Sequence, residues 1–322
     1  MYPSVNIDPS LLKGPVFYKL MGRHIISLKQ QETNGYPRPH PIHKTRAVIN
    51  SVEIDQLRSK PAIQLKSDER ICDRCSTIFK VDSRGLAINH NHSADDECSY
   101  HWGRSFRNPG TNMTSPFSCC GSDRKEKGCA TSKHHVFNIE NLKTVDGFVH
   151  TMDKPPLPGG DYGVYAMDCE MCYTTEGGEL TRITIVSSDL KIVYDTLVKP
   201  DNPVVDYNTR FSGISERDLK HVMTKLKDVQ AFLLNLLSSK TILIGHGLGS
   251  DLRALRLIHD TVIDTSIVFP HSRGPPYKRG LKKLILDHFQ KHIQKDGGHN
   301  SVEDAIACME LMLWKIKPFL CK

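Results

Sequence analysis

Six of the chain's ten cysteines fall between Cys72 and Cys129, interleaved with histidines, and that density leaves this stretch two options, a disulfide scaffold or a metal-binding module. The N-terminus, Met1-Tyr2-Pro3-Ser4-Val5-Asn6-Ile7-Asp8, has neither the basic start nor the apolar run of a secretory signal. A reducing compartment is therefore expected, in which thiols stay free to bind metal. Cys72-x-x-Cys75, Cys98-x-x-His101, Cys119-Cys120, Cys129 and the His134-His135 pair supply enough ligands for two tetrahedral zinc sites. His90 and His92 are substitutes for a nominal ligand, one zinc is the alternative to two, and the spacing does not pair the ligands. Cys169, Cys172, Cys308 and Cys321 lie outside the pattern and read as ordinary thiols.

Around this segment the chain divides. Residues 1–70 form an N-terminal segment, partly irregular, with helical apolar spacing from Tyr18 to Leu28 and then a proline- and histidine-rich stretch that favours extended backbone. Residues 71–137 are the Cys/His module, and residues 138–160 read as a linker ending in Pro155-Pro156-Leu157-Pro158-Gly159-Gly160. From residue 161 to 322 the pattern becomes α/β. A buried strand runs from Val164 into Asp168, followed by strands at Thr181–Ser187 and Lys191–Val198, with tight turns at Glu176-Gly177-Gly178 and Ser188-Asp189. A helix over Val222–Leu237, a strand at Thr241–Ile244, a helix from Ser250 to about Leu257, a strand ending at Asp264 and helices at Leu281–Phe289 and Ser301–Lys317 complete the order. The first three strands predict an antiparallel meander, and the whole predicts a mixed sheet covered by helices. No run approaches 18 apolar residues, so no membrane partner is expected. The formal charge of +7 suits a polyanion, because each phosphate contact releases counterions.

Acids recur where this domain would bind a ligand. Asp168 and Glu170 share one face of a buried strand, where two carboxylates repel unless a cation lies between them. Asp251 follows a glycine-rich turn beyond the next strand, although an acid in a first helical turn also simply complements the helix dipole. Asp304 opens the last helix; with Ser301 its spacing also reads as a capping box. His299 stands just before that helix.

In this order and spacing, Asp168-x-Glu170, Asp251 and His299 with Asp304 resemble the motifs of the DEDDh family of 3′→5′ exonucleases. Asp168-Cys169-Glu170-Met171, Thr209-Arg210-Phe211-Ser212-Gly213, Ile244-Gly245-His246, Val262-Ile263-Asp264-Thr265-Ser266 and Ser301-Val302-Glu303-Asp304-Ala305 resemble its RNA exonuclease 1 homolog and GOR-antigen branch over about residues 145–318. The resemblance implies an RNase H-like fold and a 3′→5′ exoribonuclease, nuclear with the cytoplasm as the alternative, that binds single-stranded RNA 3′ ends and releases nucleoside 5′-monophosphates. It implies two Mg²⁺ or Mn²⁺ ions on Asp168, Glu170, Asp251 and Asp304, with His299 as the base. Those roles agree with the residue types, since hard oxygens suit these ions and a group titrating near neutrality suits proton transfer. Met171, Tyr277, Lys278 and Arg279 are the expected substrate contacts. The resemblance extends to the Cys/His segment and selects His135 over His134; the segment also loosely resembles the two-zinc CHORD module. The chemistry attacks a phosphate common to both nucleic acids, so DNA is a further substrate in vitro, and protein partners are not legible. A non-catalytic binding module that kept the fold is the rival, opposed by the full set of catalytic residues.

Overall fold

Prolines and glycines keep the first helices short. Pro15 starts α1 (Gly14–Gly22), where its missing N–H costs nothing, and Ser27 with Gln30 closes a capping box on α2 (Leu28–Thr33). The structure, a computed structural model, describes residues 7–49, 65–88, 97–105, 114–138, 144–275, 277–294 and 298–320. Phe17, Leu20 and Met21 of α1 enter the core of the C-terminal domain, not a core of their own. The proline-rich stretch runs extended, as β1 (Pro37–Pro39) pairs antiparallel with β2 (Arg46–Ile49).

The Cys/His segment holds two small hairpins, β3 (Glu69–Ile71) with β4 (Ile78–Lys80) and β5 (Cys98–Tyr100) with β6 (Ala130–Ser132). Its apolar cluster includes Phe79, Val81, Val136 and Phe137, and Tyr173 and Val205 of the C-terminal domain pack against it. Within the stretch read as a linker, β7 (Thr144–Asp146) joins β2, and β8 (Val149–His150) pairs parallel with β14 (Leu257–Ile258).

The C-terminal domain is a mixed sheet with helices on both faces, as the sequence predicts. β9 (Val164–Thr174), β10 (Gly177–Ser187) and β11 (Ile192–Leu197) form the antiparallel meander. Only Thr175 and Glu176 make the first turn; Gly177 and Gly178 already belong to β10, Gly177 at φ 103, where a Cβ is strained. On its other side β9 runs parallel to β13 (Ile242–Gly245), which pairs with β15 (Val262–Asp264), while β12 (Val204–Asp206) pairs with the far end of β9. α5 (Leu226–Leu236) and α6 (Gly249–Ala254) pack on one face through Val229, Leu233 and Leu252, against Met167, Ile183 and Leu243. On the other face, α8 (Leu281–Phe289) and α9 (Ser301–Leu320) bury Leu284, Ile285, Met309 and Met312 against Val164, Ala166 and Ile244. The two-residue period of β9 therefore carries Asp168 and Glu170 on the α9 side.

Several elements depart from expectation. α5 begins at Leu226 because Asp228 accepts the backbone N–H of Lys225 (2.7 Å) and fixes the start there. α6 stops at Ala254, and Arg256, at φ 47, turns the chain into β14. Three short helices, α3 (Thr209–Ser212), α4 (Glu216–Leu219) and α7 (Thr265–Val268), are too brief to show a period.

Candidate active site

The last β9–β13 pair is Ala166 with Ile244, so Asp168 stands just beyond the carboxyl end of β13, where ligands of α/β sheets gather. Opposite it, β10 bulges: the register passes from Leu180–Met171 to Arg182–Glu170 and leaves Thr181 unpaired. Arg182, the cross-strand neighbour of Glu170, is committed to Asp195 by two hydrogen bonds of 2.8 and 2.9 Å. Glu170 is buried, and its Oε1 has no partner among the described residues. Asp251 does more than complement a helix dipole. It is buried and accepts the backbone N–H of Cys169 at 2.9 Å, which ties α6 to β9 beside Asp168.

Asp304 is not a capping residue. Asn300 Oδ1 accepts the N–H of Val302 (3.0 Å) and so caps α9, while the Ser301 hydroxyl pairs with that of Thr184 at 2.7 Å. Asp304 is thereby left to face the sheet at 2% exposure, its Oδ2 accepting from Gln294 Nε2 (2.9 Å) and its Oδ1 unpartnered. Burial, then Asp251, Asp304 and Glu170, push the Asp168 carboxyl well above the usual carboxylate range. Burial, then Asp304 and Asp251, push Glu170 up to about 9. Burial also lifts Asp251 to about 7 and Asp304 to about 6, against the hydrogen bonds from Cys169 and Gln294. Four carboxyl groups that resist joint ionisation, two with orphaned oxygens, fit divalent cations with a taste for oxygen. Among the described residues only the Cys/His groups bring three or more ligand atoms within 4.8 Å of one another.

His299 Nδ1 lies 3.5 Å from Asp304 Oδ2, with the ring 44% exposed. Its backbone N–H donates to Phe211 O at 2.6 Å, and the Phe211 ring meets the imidazole edge-on at 6.3 Å. Partial burial, with Lys282 nearby, holds the imidazole below its ordinary pKa. Met171 is half-buried on β9 beside Glu170. Of the Tyr277-Lys278-Arg279 run, Lys278 is exposed, Arg279 is ion-paired with Asp287, and Tyr277 stacks with Arg273 at 5.5 Å.

All eight Cys/His candidates come together, in two groups: Cys72, Cys75, Cys98 and His135, and His101, Cys119, Cys120 and Cys129. Chain order does not sort them, since Cys98 and His101 are close in sequence yet belong to different groups. Sulfurs around a tetrahedral ion at about 2.3 Å stand about 3.8 Å apart. Cys72 to Cys98 is 3.6 Å, Cys119 to Cys120 3.7 Å and Cys119 to Cys129 3.5 Å, far beyond a disulfide bond. His90, His92 and Cys321 lie outside the described residues.

Sequence reasoning missed Gln294, which no motif marks, and the brace beneath Asp251. The Tyr36 hydroxyl donates to Asp264 Oδ2 (2.8 Å), Asp264 Oδ1 accepts the N–H of Gly247 (2.9 Å), and the Tyr36 ring packs against Gly249 at the start of α6.

Comparison with known proteins agrees with this geometry. Residues 166–312 match the RNase_T family model, described as exonuclease, and residues 4–54 match a second family model, described as ElonginA binding-protein 1. RNA exonuclease 1 homolog of Homo sapiens is 46% identical over 308 residues, covering 95% of this chain and 24% of that protein. Putative exonuclease GOR of Homo sapiens is 43% identical over 318 residues, covering 97% of this chain and 45% of that protein. RNA exonuclease 3 of Schizosaccharomyces pombe is 38% identical over 259 residues, covering 77% of this chain and 44% of that protein. The chain thus spans less than half the length of each of these relatives.

Proposed function

This chain belongs to the RNase_T exonuclease family, in the branch of RNA exonuclease 1 homolog and the GOR exonucleases, and we propose that it is a 3′→5′ exoribonuclease. Water attacks the terminal phosphodiester, the 3′-oxygen of the penultimate nucleotide leaves, and a nucleoside 5′-monophosphate is released. One observation supports the reading: a carboxylate quartet of half-buried Asp168 and buried Glu170, Asp251 and Asp304, with two oxygens that no described protein group satisfies. Two Mg²⁺ or Mn²⁺ ions held by these four acids would supply charge stabilisation at the attacking and leaving oxygens. His299 turns Nδ1 toward Asp304, which leaves Nε2 to take the proton of the attacking water. The lowered pKa of its imidazole keeps it unprotonated, and so able to accept, at neutral pH.

Lys278 and Tyr277, with Met171, are our candidates for the wall that holds the strand; Arg279, paired with Asp287, would have to exchange that partner for a phosphate. RNA rather than DNA follows the relatives named as RNA exonucleases; action in the nucleus rests on the resemblance of the sequence motifs alone. Zinc is the ion we assign to both Cys/His groups, on their thiolate and imidazole donors and their sulfur spacing. The experiment is digestion of 5′-labelled and 3′-labelled RNA and DNA oligonucleotides with Mg²⁺. A ladder shortening from the 3′ end, faster on RNA, is expected; rapid internal cleavage of circular RNA would refute the 3′-end requirement.

A second reading concerns the N-terminal segment, whose matching family is named for binding elongin A. Val16, Leu28 and Ile42 stand 71%, 51% and 78% exposed there, apolar side chains that such a partner would cover. Titration of the protein with purified elongin A, and loss of binding in Val16→Asp with Leu28→Asp, would test it.

A further inference from the structure

The turn that carries α3 is gripped from two sides. On one side stands the Cys/His module. Arg74 Nη1 meets Asp206 Oδ2 at 2.6 Å, its guanidinium lies over the rings of Tyr100 and Tyr173, and Ser132 Oγ donates to the same Asp206 oxygen at 3.4 Å. Further along, the Arg210 guanidinium sits 4.9 Å over the ring of Trp102, which follows the ligand His101. On the other side stands the catalytic centre. Asp206 Oδ1 accepts the N–H of Asn208 (2.7 Å), which fixes the left-handed Asn208 that opens α3. Phe211 then holds His299 by the 2.6 Å backbone hydrogen bond and by its ring edge. A Cβ on Gly298 would meet Gly213 N at 3.0 Å and Phe211 O at 3.1 Å, so the two backbones are in close contact.

α3 has four residues between two left-handed ones, and a single turn of helix is marginal without external support. We propose that the Cys/His module positions the general base: Arg74 and Trp102, acting through Asp206 and Arg210, hold α3 and thereby His299 against Asp304. Arg74, Trp102, Asp206 and Arg210 are positioning residues in this account, which rests on the reading of His299 as the base.

The test compares Arg210→Gln and Asp206→Asn with Arg210→Lys, in wild-type and His299→Ala backgrounds, on RNA with Mg²⁺. Misplacing a catalytic group by about 1 Å costs up to roughly 100-fold, so Arg210→Gln and Asp206→Asn should lower kcat about 10- to 100-fold with KM little changed. Arg210→Lys, which keeps a cation over Trp102, should restore most of it. In the His299→Ala background Arg210→Gln should cost nothing more, because both changes remove one function. A raised KM with unchanged kcat would overturn the proposal and make Arg210 a contact to the RNA strand. Equal losses in both backgrounds would overturn it too. The imidazole proton resonances of His299 give a readout independent of turnover and should move in Arg210→Gln; resonances that stay put would refute the link. Moved resonances in a protein with no nuclease activity would refute the exonuclease reading alone.

Discussion

Glu170 Oε1 and Asp304 Oδ1 are buried polar atoms that nothing among the described residues satisfies, and each such atom costs about 1–3 kcal/mol or more when charged. The cost has a measurable sign. Folded Glu170, Asp251 and Asp304 titrate near 9, 7 and 6, above ordinary carboxylates, so the folded state holds protons that the unfolded state releases. Their contribution to stability is therefore intact at low pH and is lost as pH rises through those values. The melting temperature of magnesium-free protein should fall from about pH 5 to pH 9, and Mg²⁺ added at pH 8 should restore it; a melting temperature that rises over that range would contradict the cluster's electrostatics. His299→Ala should lower kcat by roughly 10²–10⁴-fold per folded molecule. As a mere helix-flanking residue it would leave turnover near normal. The five candidate residues were legible in the sequence because Asp168 and Glu170 share one face of β9, Asp251 and Asp304 sit in the first turns of α6 and α9, and His299 stands just before α9. Gln294 was not, because its contact to Asp304 is made across a loop with no period to read.

The elements that present these residues depend on contacts from distant segments. Tyr36, in the N-terminal segment, is 1% exposed and donates to Asp264, which in turn holds the Gly247 turn ahead of α6 and Asp251. Tyr36→Phe leaves a buried carboxylate oxygen without its donor and should cost about 1–3 kcal/mol in chemical denaturation, with reduced Mg²⁺ affinity. An unchanged midpoint would show that water replaces the hydroxyl. The sequence foretold the long elements, since the meander and the last helix carry strong periods over many residues. It placed the starts of α5 and β10 and the end of α6 wrongly, because one acid, one pair of glycines and one left-handed arginine decide them. It read residues 1–70 as a partly irregular segment with helical spacing from Tyr18 to Leu28, yet Phe17, Leu20 and Met21 lie in the core of the C-terminal domain, a tertiary fact that a short amphipathic helix does not announce.

At the scale of the whole molecule, the N-terminal segment and the Cys/His module are both built onto the catalytic domain. Metal analysis should find about two zinc atoms per chain, and Cys119→Ser should destabilise the N-terminal half; fully reduced, folded protein without zinc would remove the assignment and leave the nuclease reading untouched. Gly85, at φ 77, packs so tightly on Thr175 in the β9–β10 turn that a Cβ would clash with its carbonyl oxygen. Gly85→Ala should therefore loosen the module from the hairpin and lower the melting temperature, with zinc content unchanged, because no ligand is altered. The eight candidate ligands were visible in the sequence, but their division into two interleaved groups needed the fold, which brings Cys98 to one and His101 to the other. The central claim is that the carboxylate quartet holds the ions that drive hydrolysis, and Asp168→Asn tests it most directly, because it removes one charge and almost no volume. Turnover of a 3′-hydroxyl RNA by the purified variant with Mg²⁺ should be abolished while its melting curve stays that of a folded protein. Wild-type turnover by Asp168→Asn, in a preparation free of contaminating nuclease, would contradict the account.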